Sequence, residues 1–193
     1  MKEYDVRPIT YAETKPFILN IHYAKRMPSI SYAFGMFGGA NLIGVCTYGK
    51  PASPWLCKGI AGEENRHLVW ELNRLVLSEN IKNLASILIS RSLKLLPPGL
   101  IVVSYADSAH NHVGYVYQAT NWLYTGATKP RTDMYSSSGH SRHHDGDRTK
   151  RVDRSSKYRY VTFTGTKRDR KYLLSQLKYS VLDVYPKGKG WHP

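Results

Sequence analysis

The sequence has few cysteines, few acidic residues and no long hydrophobic run. Its 193 residues include two cysteines, Cys46 and Cys57, and neither belongs to a CxxC pair. This pattern predicts two reduced thiols and no disulfide framework. No apolar segment reaches the roughly 18–20 residues that a membrane-spanning helix needs, and residues 1–10 lack the apolar centre of a signal peptide. We therefore expect no membrane partner and a cytoplasmic location.

Acidic residues are scarce relative to basic ones. There are 14 Asp and Glu against 28 Lys and Arg, giving a net charge of +14. Such a balance predicts a polyanionic partner. Because neither a basic amphipathic helix nor a lipidation motif is recognisable, nucleic acid is favoured over a membrane surface, and a phosphorylated small cofactor is the other candidate. The length and the 41% hydrophobic content are typical of a single domain, here residues 1–193.

Hydrophobic periodicity predicts an α/β (α+β) domain with a mixed sheet flanked by helices. Strands are predicted at residues 30–37, 41–48, 69–77, 100–105, 122–126 and 158–164. Helices are predicted at residues 80–96, 112–120 and 168–178, with Ser78 or Asn80 as the cap of the first and Pro97 to Gly99 as its end. The first two strands form a hairpin through Gly38 and Gly39. The strand–helix–strand–helix order that follows places helices on both faces of the sheet.

Residues 136–157 differ in composition from the rest of the chain, because they are polar and rich in basic residues. We predict a basic, mobile insertion whose side chains contact DNA phosphates. The candidates in this segment are Arg142, Arg148, Lys150, Arg151, Arg154 and Lys157. Arg168, Arg170 and Lys171 of the last helix are additional candidates. The alternative is a solvated loop without a partner.

Several polar residues lie where a site is expected. Asp107 follows an apolar strand, and open α/β sheets bind ligands at this edge; the alternative is that it caps the next helix. Imidazole and carboxylate donors suit a non-haem iron site, so His22, Asp107 and His112 are candidate ligands. Arg74 lies within an apolar strand and needs either an acidic partner, such as Glu71, or a bound anion.

Hydroxyl groups near these residues complete the candidate catalytic set. Ser104 or Tyr105 would position a nucleobase or carry a proton, although a tyrosine there would equally suit the core. The candidate catalytic residues are Asp107, Arg74, Tyr23, Ser104 and Tyr117.

The order of elements resembles the GNAT acyltransferase superfold. In that fold the loop before the long helix presents backbone N–H groups to the cofactor pyrophosphate, as helix N-termini do for anions. The matching loop contains the candidate cofactor-binding residues Ser78, Asn80 and Asn83. It lacks the glycines of typical members, which makes close approach of a pyrophosphate to the backbone harder.

A more specific resemblance is to the Mom family of DNA modification proteins from tailed bacteriophages. It rests on separated segments that span nearly the whole chain. These are Asn20-Ile21-His22-Tyr23, Glu71-Leu72-Asn73-Arg74-Leu75, Ser104-Tyr105-Ala106-Asp107, residues 112–122 with Tyr124-Thr125-Gly126, Lys157-Tyr158-Arg159-Tyr160 and Tyr185-Pro186-Lys187. The resemblance implies a GNAT-related fold and transfer of a carbamoylmethyl (acetamido) group to adenine N6 in phage DNA, which hides the DNA from host restriction enzymes. It also implies an iron requirement, a donor that is acetyl-CoA or derived from glycine, and action in the cytoplasm of the infected bacterium.

Chemistry on a base in duplex DNA requires the base to leave the stack and rest against aromatic side chains. The candidate base contacts are Tyr105, Asn121, Trp122 and Tyr124; the alternative is that the aromatic ones belong to the core. Two other functions stay open. A non-catalytic DNA-binding protein needs only charge and aromatics, whereas an N-acetyltransferase acting on a small molecule or protein needs acetyl-CoA and no DNA.

Overall fold

A computed structural model describes residues 4–135 and 150–188. In chain order the strands are β1 (Tyr4–Pro8), β2 (Tyr32–Gly38), β3 (Asn41–Gly49), β4 (Val69–Leu77), β5 (Ile101–Asp107), β6 (Leu123–Ala127), β7 (Arg131–Met134), β8 (Arg151–Arg154) and β9 (Lys157–Phe163). The helices are α1 (Tyr11–Pro16), α2 (Pro54–Asn65), α3 (Leu84–Leu95), α4 (Tyr115–Ala119) and α5 (Lys167–Gln176). A π-helical turn at Phe17–Ile21 continues α1, and 3₁₀ turns lie at Arg66–Leu68 and Ser108–His110.

Seven strands form one mixed sheet in the order β1-β2-β3-β4-β5-β9-β6, while β7 and β8 pair separately. Only β4 and β5 are parallel neighbours in the larger sheet. One face packs against α3 and α4 through residues such as Leu88 and Tyr117. The other packs against α2 and α5 through Ile60 and Leu173, and against the π-helical turn through Phe17. The predicted sheet with helices on both faces is confirmed.

All six predicted strands are present, with ends that differ from the predicted ones by at most two residues. The hairpin turns at Gly39, whose φ of +64° is the left-handed conformation that glycine adopts without strain. Strand β5 is buried along nearly its whole length, as a continuous apolar run predicts. Residues 122–126 and 158–164 form β6 and β9, which pair with each other.

The predicted cap of α3 is wrong. The helix begins at Leu84 with Asn83 as its N-cap residue, whereas Ser78 hydrogen-bonds to the Ile43 carbonyl oxygen at 3.0 Å. Three elements of the first 65 residues were also not predicted: β1, α1 and α2. Strand β1 buries only Val6, and α2 contains Gly62 in a non-helical conformation, so neither shows a clear hydrophobic period.

The predicted insertion at 136–157 is wrong in its second half. Residues 151–154 form β8, which pairs with β7, and Lys157 begins β9. Residues 136–149, including the phosphate candidates Arg142 and Arg148, lie outside the described residues. None of the helices in residues 4–135 and 150–188 has the length and apolar composition required to cross a bilayer.

Candidate functional site

The two parallel strands at the centre of the sheet separate along their length. β4 and β5 are paired at Val69↔Ile101, Trp70↔Val102 and Glu71↔Val103, and not beyond. The pairing is lost toward the carboxyl ends of both strands, where open α/β sheets bind ligands. The separation leaves a wedge in the middle of the sheet.

A cleft of about 670 Å³ occupies this wedge. Its walls come from both strands, from α4 with the residues before it, and from residues 21–23. The side chains that line it include Arg74, Tyr23, Ser104, Tyr117 and Tyr105. The fold therefore brings together four of the five candidate catalytic residues and one candidate base contact. A volume of this size holds a small organic ligand or a nucleobase.

Glu71 is a cleft residue that the sequence analysis considered only as a possible partner for Arg74. Its carboxyl group faces the cleft, and no described residue donates a hydrogen bond to it. Burial raises the pKa of Glu71 to about 7, against the opposing effects of Arg74 and Lys157. A carboxyl group with this pKa is suited to accept a proton near neutral pH. The signal available in the sequence was an acidic residue inside a predicted strand; that its cross-strand neighbours, Gly49 and Val103, are not basic is known from the sheet register.

Arg74 does not form an ion pair with Glu71. Its guanidinium donates to the carbonyl oxygens of Asn73 at 2.6 Å and Arg26 at 3.0 Å. Its Nε is buried and has no hydrogen-bond partner among the described residues. Since an unpaired buried donor costs free energy, an acceptor entering the cleft would be stabilised there.

Ser104 and Tyr117 form a polar contact on the other side of the wedge. Ser104 Oγ donates to the Leu72 carbonyl oxygen at 2.9 Å and lies 2.8 Å from Tyr117 Oη. The first bond connects β5 to β4 just beyond their last paired residues. Burial raises the pKa of Tyr117 to about 12 and raises that of Tyr105 as well. Both phenols are therefore protonated at neutral pH and act as hydrogen-bond donors.

A stack of histidine and tyrosine rings lies at the mouth of the cleft. Tyr23 stacks on His22 with 4.3 Å between ring centroids, and contacts His110 at 4.5 Å and His112 at 6.1 Å. Burial lowers the pKa of His22 to about 4, and the positive charge of Arg74 adds to this effect. His22 Nδ1 accepts the Ala24 N–H at 3.0 Å, so the neutral ring carries its proton on Nε2.

The predicted iron ligands do not come together. Among residues 4–135 and 150–188, no group of three or more His, Cys, Asp or Glu side chains is arranged to hold a metal ion. His22 has no free ring lone pair in its neutral form, and Asp107 does not line the cleft. The described residues therefore do not fit iron as the sequence analysis expected.

Asp107 occupies a neighbouring position, between β5 and the base of the β7–β8 pair. Its carboxylate accepts from Ala109 N at 3.0 Å, from Ser155 Oγ, and from Lys157 Nζ at 3.0 Å. Burial alone would raise the pKa of Asp107, but these three bonds hold it below its usual value. Asp107 therefore caps the Ser108–His110 turn, which was the alternative considered for it, and joins the turn to β8 and β9.

Three candidate base contacts lie away from the cleft. Trp122 is fully buried and packs against Tyr117, with 5.1 Å between ring centroids. Tyr124 is buried beside Tyr160, and Asn121 occupies the exposed turn before β6 with a φ of +57°. The two aromatic residues have the core positions that were the alternative reading, and only Tyr105 of this set lines the cleft.

The loop from Ser78 to Asn83 is exposed and follows the cleft residue Leu77. Asn83 has a left-handed conformation and makes no side-chain capping bond. Leu84 N donates to the Ile81 carbonyl oxygen at 3.3 Å, which leaves the N–H groups of Ala85 and Ser86 in the first turn of α3 to other acceptors. A phosphate group fits an uncapped helix N-terminus of this kind. The absence of glycine in the loop limits how closely a pyrophosphate can approach.

A second cavity of about 680 Å³ lies beside the first. It is bounded by Asp107 and His110 on one side and by the β7–β8 pair on the other. Lys157 lines both cavities, and Arg131 and Arg154 are also in the wall of the second. Each of these basic side chains is in an ion pair, Lys157 with Asp107 and both arginines with Asp133. The cleft therefore opens next to a cavity lined by paired charges.

Solved structures with a similar fold are GNAT acetyltransferases. The structure of Arabidopsis thaliana NAA60 in complex with acetyl-CoA has a TM-score of 0.52 and 15% identity, covering 83% of this chain and 99% of that one. An acetyltransferase of the GNAT family from Bacillus cereus has a TM-score of 0.50 and 12% identity, covering 85% and 99%. At these identities the likeness shows the fold, which is GNAT-like.

Sequence comparison gives a narrower result. The chain is 32% identical over 132 residues to the methylcarbamoylase Mom of Escherichia phage Mu. This alignment covers 65% of the chain but 55% of that protein, so the chain spans about half the length of this curated relative. The sequence model of the Mom protein family matches residues 3–187, nearly the entire chain. The chain therefore belongs to the Mom protein family.

Proposed function

We propose that this protein is a phage enzyme that transfers a carbamoylmethyl group to N6 of adenine in double-stranded DNA. The observation that carries the proposal is the Glu71 carboxyl group, unpaired and with a pKa of about 7, in a cleft at the open end of β4 and β5. Membership of the Mom family and the relative named methylcarbamoylase support it. Protection of phage DNA from restriction in the host cytoplasm is the corresponding biological role.

The exocyclic amine of adenine is a weak nucleophile because its lone pair is delocalised into the ring. As the N6–carbon bond forms, the bond between that carbon and the leaving group of the donor breaks, and N6 loses one proton. Glu71 accepts this proton as a general base. The products are the N6-substituted adenine, the departed leaving group and protonated Glu71, which returns its proton to solvent.

Other residues of the cleft position the reactants. Tyr105 and the Tyr23 ring provide surfaces against which a base rotated out of the duplex rests. Arg74 binds an acceptor oxygen of the substrate through its unpaired Nε, and Tyr117 with Ser104 fixes the opposite wall. Asp107 is a positioning residue, because it holds Lys157 at the border of the two cavities.

An activated donor supplies the group that is transferred. Of the two candidates, a glycine derivative already carries the two carbons and the nitrogen of a carbamoylmethyl group, whereas displacement of CoA from acetyl-CoA would leave an acetyl group on N6. The step therefore balances with the glycine derivative, and acetyl-CoA is the donor of the alternative N-acetyltransferase function. The first turn of α3 with Ser78, Asn80 and Asn83 would bind the phosphates of the donor. Iron is implied by the family resemblance, but no step above depends on it, because the described residues do not assemble the expected ligands.

Nucleoside mass spectrometry tests the proposal. Plasmid DNA from bacteria that express the wild-type chain should contain a deoxyadenosine heavier by one carbamoylmethyl substituent. Glu71→Gln should reduce the amount of this modified nucleoside by about a hundredfold or more. Asp107→Ala should reduce it by a smaller factor. Growth on labelled glycine or labelled acetate identifies which donor supplies the added carbons.

The two alternative functions predict different results. A non-catalytic DNA-binding protein would leave the DNA unmodified while still binding it. An N-acetyltransferase for small molecules or proteins would bind acetyl-CoA without any need for DNA. Unmodified DNA from a soluble wild-type protein supplied with both donors would overturn the proposal.

A further inference from the structure

The β7–β8 pair, which we call the ribbon, begins beside the carboxyl end of β5, where the cleft opens. Three residues separate β6 from β7, and two separate β8 from β9. The ribbon therefore continues the β6–β9 pairing beyond the main sheet. Its register runs from Arg131↔Arg154 at the base to Met134↔Arg151.

The base of the ribbon is firmly attached to the end of β5. Thr128 N donates to the Lys157 carbonyl oxygen, and Lys157 N donates to Thr128 Oγ1, both at 2.9 Å. Ser108 donates to the Ser156 carbonyl oxygen through both its N–H and its hydroxyl group. Asp107 accepts from Ser155 Oγ. These bonds fix the direction of the ribbon relative to the cleft.

The ribbon carries a net positive charge on exposed side chains. Residues 129–135 and 150–157 contain six Lys or Arg against two Asp. Lys129, Lys150 and Arg151 are exposed. Arg131 and Arg154 share Asp133, at 3.2 and 3.1 Å, which keeps these two arginines side by side on one face of the ribbon. Each face combines charged or polar side chains with one apolar residue, Val152 on the face of Arg131 and Arg154 and Met134 on the other.

We propose that the ribbon enters the major groove of duplex DNA and thereby sets the position of the target adenine at the cleft. The inference rests on the proposed function and adds the element that contacts the duplex. The major groove admits a two-stranded ribbon, and N6 of adenine lies in that groove. Lys129, Lys150 and Arg151 contact the phosphates along its walls, and Lys157 lies between the ribbon and the cleft.

The salt dependence of binding tests the phosphate contacts. The triple variant Lys129→Gln, Lys150→Gln and Arg151→Gln is compared with a matched control, Lys58→Gln, Arg66→Gln and Lys94→Gln. The control removes the same charge from exposed residues of α2, the turn after it and α3. These three residues precede the first residues of β4 and β5, at the end of the two strands opposite the cleft. With a fluorescent 20-base-pair duplex, the slope of log affinity against log salt should fall by about 2 to 3 in the ribbon variant and by less than about 1 in the control.

Two further duplexes, one chemically modified and one with a bound ligand, test which groove the protein occupies. Glucosylated 5-hydroxymethylcytosine fills the major groove, whereas netropsin fills the minor groove. Glucosylation should weaken wild-type binding about tenfold or more, and netropsin should have little effect, because only the major groove is used. Inhibition by netropsin alone, or equal slopes for the ribbon variant and the control, would overturn the inference.

The failure of this inference is distinguishable from failure of the proposed function. Modified adenine in plasmid DNA together with an unchanged salt slope in the ribbon variant would leave the enzyme assignment intact and reject the ribbon. A wild-type protein that neither binds the duplex nor modifies DNA would reject both. Circular dichroism of the ribbon variant shows whether it retains the wild-type fold.

Discussion

Among single residues of the cleft, the Glu71 carboxyl group has an unfavourable environment for its charged form. Its carboxyl group is held in a cleft wall without a hydrogen-bond donor among the described residues, and burial raises its pKa to about 7. Because the folded protein favours the protonated form, Glu71 contributes to stability below its ordinary pKa of 4.5. That contribution is lost as the pH rises through about 7. A carboxyl group retained at such a cost points to a role in the reaction.

The Glu71→Gln variant should therefore be more stable than the wild type at alkaline pH while being inactive. A pKa shift of this size corresponds to an increase in the free energy of unfolding of up to about 3 kcal/mol above neutral pH. Near pH 5 the increase should be small. Urea unfolding at about pH 5 and about pH 8 measures it. Glu64→Gln, which changes an exposed carboxyl group on α2, is the control and should show no such pH dependence. An equal effect of Glu71→Gln at both pH values would contradict the raised pKa.

At the scale of elements, the cleft depends on how α4 is placed against β9. Gly114 precedes α4 with a φ of +81°, and a Cβ atom there would collide with the Tyr160 ring. The Tyr160 hydroxyl also donates to the Val113 carbonyl oxygen. These contacts keep the start of α4 close to the sheet, so that Tyr117 reaches Ser104.

Two glycine substitutions distinguish the stability cost of a steric collision from the cost of a positive φ alone. Gly114→Ala should destabilise the fold by about 3 kcal/mol or more, because it adds an overlap with Tyr160 to the cost of a positive φ. Gly99→Ala has nearly the same φ, +83°, but its Cβ would meet nothing within 4 Å, so it should cost only about 1 kcal/mol. Thermal unfolding compares the stabilities of the two variants. Similar losses of stability would show that α4 moves to avoid the overlap with Tyr160.

At the scale of the whole molecule, residues 178–188 connect parts of the chain that are distant in sequence. Lys178 N donates to the Ile60 carbonyl oxygen at 2.8 Å, and Leu182 N donates to that of Tyr124 at 2.9 Å. Tyr185 Oη donates to the Trp122 carbonyl oxygen at 2.8 Å. Because this segment joins α2 to the edge strand β6, we propose that residues 1–193 fold as one domain.

The Tyr179 ring provides the strongest single test of this connection. The buried Arg159 guanidinium lies over it, 3.4 Å from the ring centroid. Tyr179→Ala should lower the free energy of unfolding by about 2 kcal/mol or more, because it removes a cation–π contact and exposes the guanidinium. Val184→Ala changes an exposed residue of the same segment and should have almost no effect. Denaturant unfolding that does not distinguish the two variants would contradict a structural role for the segment.

Local patterns along the chain were enough to predict the central strands, and composition was enough to predict a polyanionic partner. Strand β4 has the predicted ends, and β5 is the predicted buried strand, because local hydrophobic patterns report which side chains face a core. The charge of +14 needs no structure to indicate a polyanion. Elements with weak patterns, such as β1 and α2, could not be recognised locally, because contacts with distant residues stabilise them.

Which polar side chains share a cleft followed from the folded arrangement. The separation of β4 from β5 brings Glu71 next to the cleft and leaves it without a donor, a property that depends on two strands whose paired residues, such as Glu71 and Val103, are 32 residues apart. Asp107 has the expected position at the end of β5, yet its carboxylate is held by Ser155 and Lys157, which a later part of the chain supplies. The physical reason is that pKa and accessibility depend on neighbours in space, whereas a sequence pattern reports only neighbours along the chain.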